Sequence, residues 1–194
     1  VTGQIYEIEP IARACRKRGV LFILDAAQTA GNTELDLRKT PIDVLCMTGH
    51  KSLFGVQGTG AIYVSPEVRT RPYMCGGTGT SSFDLNHPTE MPECFEAGTV
   101  NTHGVCALGA GVRYVLRHGV SKIHREESLL RAYFAEELQK LERVRVYGLP
   151  PAKRRGKTFS ARDYTGTISC NIRGSDPSAV AEYLARNGVC VRSG

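Results

Sequence analysis

The sequence predicts an α/β fold, with a large domain built on a mostly parallel sheet followed by part of a smaller α+β domain. Three observations carry this expectation. The continuously apolar runs at 20–24 and 42–47 have the length and composition of strands buried on both faces, as in parallel sheets. Helical, apolar and small-residue segments alternate from residue 7 to residue 64, the order of an α/β layer architecture. From Val144 onward the pattern changes to short strands around one capped helix.

Each element has its own justification. Residues 7–18 form an amphipathic helix with Ile8, Ile11, Ala12 and Cys15 toward the core and Glu7, Glu9, Arg13, Arg16 and Arg18 toward water, and Gly19 is its C-cap. The first strand, 20–24, stops just before Asp25. Residues 26–36 form a loop with a short helical turn, and 42–47 form the second strand. A glycine-rich turn from Gly49 to Gly60 carries Lys51, and 61–64 form a third strand. Residues 71–102, with glycines at 76, 77 and 79 and prolines at 72, 88 and 92, read as a long functional or interfacial loop. Two helices follow. In the first, 103–118, Val105, Leu108, Val112, Val115 and Leu116 lie on one side. In the second, 121–143, Ile123, Leu129, Leu130, Phe134, Leu138 and Leu141 form the apolar stripe. The smaller domain has a strand at 144–147 closed by a Gly-Leu-Pro-Pro turn and an alternating strand at 167–172. Its helix starts at Asp176-Pro177 and ends at Gly188, before a strand beginning at Val189. The expected division is 1–120 for the large domain, 121–143 for a connecting helix and 144–194 for the small domain.

Composition narrows the class. The 194 residues are 41% apolar and 23% charged, with a net charge of +6, ordinary for a globular protein able to bury a sizeable core. The basic clusters Arg13, Arg16, Lys17, Arg18 and Lys153, Arg154, Arg155, Lys157 read as a solvated helix face and a basic loop; a nucleic-acid surface is the costlier explanation. Seven cysteines, at 15, 46, 75, 94, 106, 170 and 190, include no C-x-x-C pair. That argues against a disulfide framework or a zinc ribbon and fits a reducing, cytoplasmic setting. Cys46 and Cys106 read as core residues, and nothing marks Cys75 or Cys94 as a nucleophile. His87 and His103 have no evident ligand partners. No apolar run approaches the roughly 20 residues that span a bilayer, no signal peptide opens the chain, and the expectation is a fragment cut at both ends.

The chemistry concentrates at two strand ends. Asp25 follows the first buried strand, and Thr48-Gly49-His50-Lys51 follows the second. Open α/β sheets bind ligands beyond the carboxyl ends of their strands, and the connection between the two sites is long enough to join neighbouring parallel strands. A lysine and an acid placed there suit pyridoxal phosphate: the lysine forms a Schiff base with the aldehyde, and the carboxylate keeps the pyridinium nitrogen protonated so that the ring acts as an electron sink. Partial burial and the neighbouring His50 would favour the neutral, nucleophilic amine of Lys51. Gln28 can donate to the phenolate oxygen, Thr48 and His50 can bind a phosphate, and the small Gly49 leaves room for it. Taken singly, Lys51 is a surface lysine in a glycine-rich turn, Asp25 a turn residue or helix N-cap and Gln28 a polar loop residue; the combination carries the reading.

LDAAQTAG at 24–31 followed by DVLCMTGHKSLFGVQGTGAIYV at 43–64 resembles the class V aminotransferase family of pyridoxal-phosphate enzymes, most closely its cysteine desulfurase branch. GGTGT at 76–80 and FEAGTVNTHG at 95–104 resemble that branch in order and spacing, and GGTGT is no P-loop because no Gly-Lys-Ser/Thr follows. The resemblance spans the whole chain and implies the aspartate-aminotransferase-like architecture, fold type I. It implies that Lys51 is the Schiff-base lysine and proton shuttle, with Asp25 on the pyridine nitrogen, Gln28 on the phenolate, and Thr48 and His50 on the phosphate. Thr99 would reach the phosphate of the other subunit's cofactor in a homodimer with shared sites, and Arg192 would hold the substrate carboxylate. The implied reaction takes L-cysteine to L-alanine and passes sulfur on as a persulfide to an acceptor protein, for iron–sulfur cluster or thio-cofactor assembly. The nucleophilic cysteine is expected just beyond Gly194, not at Cys190, and further cofactor contacts are expected upstream of Val1, so the isolated chain is expected to lack the full site. A selenocysteine lyase or another class V enzyme, and a non-catalytic cofactor-binding remnant or sulfur-transfer scaffold, remain alternatives.

Overall fold

The computed structural model describes residues 1–79, 83–148 and 161–194. They fall into two compact units, Glu7–Val120 and a second made of Val1–Tyr6 with Ser121–Gly194.

In the first unit, α1 (Ile8–Lys17) leads through a tight turn at Gly19 into β1 (Ile23–Asp25), and β2 (Val44–Thr48) and β3 (Gly60–Val64) follow. β1 and β2 pair in parallel with Asp25 opposite Cys46, while β2 and β3 pair antiparallel with Thr48 opposite Gly60. Connection length explains the difference. Neither connection contains a regular helix, but the segment from 26 to 43 is long enough for a crossover, whereas the shorter 49–59 segment only turns the chain back. The sheet carried by the described residues is therefore mixed. Asp43 secures the start of β1, its carboxylate accepting the Phe22 N–H at 2.7 Å.

Side-chain alternation divides the sheet into two faces. Leu24, Leu45, Met47 and Tyr63 point to one side and pack with Ala26, Ile42, Ile8 and Leu35 in the core of this unit. Ile23, Asp25, Cys46, Thr48 and Ile62 point to the other. Ile23 is 61% exposed, and Val20, Leu21 and Ile62 are exposed as well. The expectation that the first apolar run is buried on both faces is thus corrected: its own unit covers only one face. α2 (Thr102–His118) is capped by Asn101, whose side-chain oxygen accepts the Gly104 N–H at 3.0 Å. Its buried positions are Gly104, Gly111 and Val115. Val105 and Leu116, expected in the core, are exposed because the glycines allow close approach on a different line of the helix.

In the second unit, α3 (Val120–Gln139) buries Ile123, Ser128, Arg131 and Ala135. Of the expected stripe Ile123 is buried as expected, but the rest is corrected: Leu129, Leu130, Phe134 and Leu141 are exposed. β4 (Val144–Tyr147) pairs antiparallel with β5 (Ser169–Ile172). The N-terminal segment joins them: Gln4 bridges to Tyr164, the Thr165 N–H donates to the Gly3 carbonyl at 2.8 Å, and the Ser169 hydroxyl donates to the Val1 carbonyl at 2.6 Å. α4 (Pro177–Arg186) begins as its Asp-Pro signal predicts, with the Asp176 carboxylate accepting the Ser178 and Ala179 N–H groups at 3.0 Å. The expected strand at 189–191 does not form, because among the described residues no strand pairs with it. The Gly-Leu-Pro-Pro turn beyond Gly148 and the basic cluster at 153–157 lie outside the described residues. Among the described residues no helix is long and apolar enough to cross a membrane.

Candidate active site

The parallel register puts the ends of β1 and β2 at one edge of the sheet. Asp25 is the last residue of β1 rather than the residue after it, and Thr48 is the last residue of β2. Since Asp25 pairs with Cys46 and Thr48 lies two positions further on, all three side chains project from the face opposite the core. The offset between Asp25 and Thr48 along the strands is about 7 Å, two residues of strand rise.

Local hydrogen bonds hold the segments that leave these ends. One oxygen of the Asp25 carboxylate accepts the Ala27 N–H at 2.9 Å. The chain then winds through helical turns in which the Ala26 carbonyl accepts the N–H groups of Thr29 and Ala30 at 3.0 and 2.8 Å, leaving Gln28 exposed. After Thr48, the Gly49 N–H donates to the Thr59 carbonyl at 2.9 Å. Gly49 is buried, and a Cβ there would meet the Thr59 side chain. Its smallness therefore serves packing against Thr59. His50 and Lys51 are both exposed, so the expected partial burial of Lys51 is not found; no element of its own unit covers it.

The glycine motifs also meet. The Gly98 N–H donates to the Gly77 carbonyl at 2.8 Å, which sets the described part of GGTGT against the Gly98-Thr99 step. Thr99 is exposed two positions before the Asn101 cap. Arg192 belongs to the other unit and is exposed in the irregular 189–194 segment. Of the cysteines, Cys94 is fully buried, Cys46 is half-buried, and Cys106, read from sequence as core, is exposed. His87 faces the carbonyls of Glu93 and Cys94 at 3.1 and 3.3 Å, so it pins its loop. Sequence reasoning missed Asn101 and Asp43. The cap had a signal in the Asn before a helical run; Asp43 had none, because its partner is 21 residues away.

The donor set fits pyridoxal phosphate. One sheet edge carries a carboxylate for a ring N–H, a primary amine for an aldehyde, and a hydroxyl and an imidazole for a phosphate. Asp25 is oriented by its bond to Ala27.

These residues and this sheet belong to the aminotransferase class-V family, whose pattern the chain matches over residues 1–194. The chain is 33% identical over 196 residues to a probable cysteine desulfurase of Pyrococcus abyssi, covering 99% of this chain and 46% of that protein. It is 34% identical over 198 residues to a probable cysteine desulfurase of Xylella fastidiosa, covering 100% and 45%. The apo structure of the cysteine desulfurase from Thermococcus onnurineus NA1 superimposes with a TM-score of 0.83 at 35% identity, covering 99% of this chain and 46% of that one. The chain thus spans about half the length of the curated relatives it matches. The expected α/β architecture, fold type I, is borne out by this superposition, and the family is one of pyridoxal-phosphate enzymes.

Proposed function

We propose that the chain is the part of a cysteine desulfurase that carries the cofactor lysine, and that the whole protein converts L-cysteine to L-alanine and passes the sulfur on as a persulfide. The observation that carries this is the parallel pairing of β1 and β2. It brings Asp25 and Thr48 to one face of one sheet edge, with Lys51 three residues on, in a chain of this family. The identities to proteins named cysteine desulfurase support the choice of reaction.

When bound, pyridoxal phosphate would supply an electron sink for the bond-breaking at the substrate's Cα and Cβ. The chain's residues do the rest. Lys51 anchors the cofactor through its amine and moves a proton at the substrate Cα. Asp25 accepts a hydrogen bond from the ring nitrogen and holds the proton there. Gln28 donates to the phenolate oxygen. The Thr48 hydroxyl and the His50 imidazole hydrogen-bond the phosphate. Thr99 reaches the cofactor phosphate of a second copy in a homodimer, and Arg192 orients the substrate carboxylate through a bidentate pair. A thiolate of the enzyme attacks the substrate sulfur and forms the S–S bond of a persulfide; the C–S electron pair stays with Cβ, which takes up a proton to become the methyl group of alanine, and an acceptor protein takes the sulfur for iron–sulfur cluster or thio-cofactor assembly. Residues up to 120 belong to the cofactor-binding large domain, 121–143 to a connecting helix and 144–194 to the small domain; the change of unit at Ser121 supports the boundary after 120, while Val1–Tyr6 go with the second unit and not with the large domain. The reaction belongs to the cytoplasm, where the thiolate stays reduced.

The test is reductive trapping. Whole protein incubated with pyridoxal phosphate, reduced with borohydride and digested should carry the adduct on Lys51. Lys51→Ala should lose both that adduct and alanine formation from L-cysteine. An adduct absent from Lys51 sinks the site assignment. An adduct on Lys51 with pyruvate rather than alanine as product sinks the desulfurase reaction and favours a β-eliminating enzyme.

A further inference from the structure

We infer that Phe54 and Tyr114 are positioning residues for Lys51: they clamp the turn that carries it against helix α2. This rests on the reading of Lys51 as the cofactor lysine. The Lys51 side chain is exposed, so the backbone of its turn decides where the amine starts.

That backbone is unusual. Phe54 has φ of 55°, and among the described residues it alone combines a side chain with a positive φ. A bulky residue there is strained and persists only where its surroundings over-determine it. The Phe54 N–H donates to the Lys51 carbonyl at 2.9 Å, and the Gly55 N–H donates to the Gly49 carbonyl at 2.7 Å. Lys51 therefore sits inside a doubly closed loop.

Two neighbours press on this loop. On one side, α2 comes so close that a Cβ at Gly111 would stand 2.7 Å from the Phe54 carbonyl oxygen. One turn further along α2, the Tyr114 ring meets the Phe54 ring edge-on at 5.2 Å and 65°, and is itself stacked on His118 at 5.4 Å. At Ser52 the loop has a second neighbour: Gly31 (φ 99°) approaches closely enough that a Cβ would lie 2.6 Å from the Ser52 carbonyl carbon. Gly31 lies within the helical turns that follow Asp25. The turn of Lys51 is therefore locked both to α2 and to the segment leaving Asp25. This arrangement holds the amine in register with the carboxylate without touching either group.

Two readouts test this in the whole protein. The first is hydrogen exchange of the Phe54 and Gly55 amides without cofactor. The second is the extent and pH profile of borohydride-trapped pyridoxal phosphate on Lys51, with Lys39 as a surface reference in the same digest. Tyr114→Leu removes the ring contact. Phe54→Gly removes it while tolerating the backbone angle, so that a folded variant is available. Both should speed exchange at the two amides roughly three- to tenfold, the range an aromatic pair is worth. Trapping on Lys51 should fall by a similar factor with Lys39 unchanged, and Tyr114→Phe should retain both properties. Unchanged exchange in both variants overturns the inference, as does faster exchange with Lys51 trapping and its pH profile as in the parent. If the parent traps nothing on Lys51 while exchange responds as expected, the reading of Lys51 falls and the clamp on its turn stands.

Discussion

Arg131 carries a full charge at only 4% exposure, and its partners are main-chain carbonyls and a ring. Its guanidinium donates to the Thr167 carbonyl at 3.3 Å and to the Gly148 carbonyl at 3.2 Å, and lies 4.2 Å from the centre of the Tyr164 ring. Burial holds its pKa below the usual guanidinium value, partly offset by Tyr164. Arg131→Ala strands two carbonyls and should cost about 2–4 kcal/mol in denaturant unfolding. Arg131→Met refills the space but leaves the same carbonyls unpaired, so it should recover only the packing part of that cost. Asp36 offers a pH test. The Arg38 side chain beside it, at 3.0 Å, and the Arg38 N–H lower its pKa from 3.8. A depressed carboxyl contributes stability above its unfolded pKa and loses it as pH falls through the folded value. The titration of Asp36 followed by NMR should therefore have its midpoint below 3.8 and move up toward it in Arg38→Ala; an unmoved midpoint contradicts the pairing. The burial of Arg131 and its contacts were not legible from sequence, since a lone arginine on a helix reads as a solvated residue.

At the scale of elements, positions were more legible than faces. Helix α4 begins where Asp176-Pro177 says it should, because capping is a local property of a few residues. Asp176→Ala should cost about 1 kcal/mol of stability, measured by denaturant unfolding. The strand ends at Asp25 and Thr48 were legible within a residue, because an apolar run stops where its chain leaves the sheet. The faces of α2 and α3 were not. Hydrophobicity pointed to Ile123, Leu129, Leu130 and Phe134, yet of these α3 buries only Ile123, beside Ser128, Arg131 and Ala135. Small residues, and polar ones whose hydrogen bonds are met, as Ser128 is by the His124 carbonyl at 2.7 Å, let backbones approach. On β2, Leu45 is 4% exposed on the core face, so Leu45→Ala should cost about 2–4 kcal/mol. Gly31→Ala should cost about 1–3 kcal/mol, because its φ of 99° and the nearness of Ser52 both oppose a side chain.

At the scale of the whole molecule, both units leave large apolar side chains in solvent. Leu129, Leu130, Tyr133 and Phe134 on α3 and Val20, Leu21 and Ile23 leading into and along β1 are all more than half exposed. Contiguous apolar surface of this kind drives association. The 194-residue chain by itself should therefore scatter light as a species larger than a monomer despite its net charge of +6, and Leu130→Lys with Phe134→Lys should shift it toward the monomer; a monodisperse parent chain would contradict this. By itself the sequence determined the family, the ends of the strands, the cap of α4 and the residue types gathered around Lys51, because each is written in a short stretch of neighbouring residues. Only the tertiary structure decided that β3 runs antiparallel, that Asp25 and Thr48 share the face away from the core, which side of α3 is buried, and that Phe54 is held in a left-handed turn against Tyr114. Those are relations between segments far apart in the chain, and they are set by pairing register and by how closely backbones can approach.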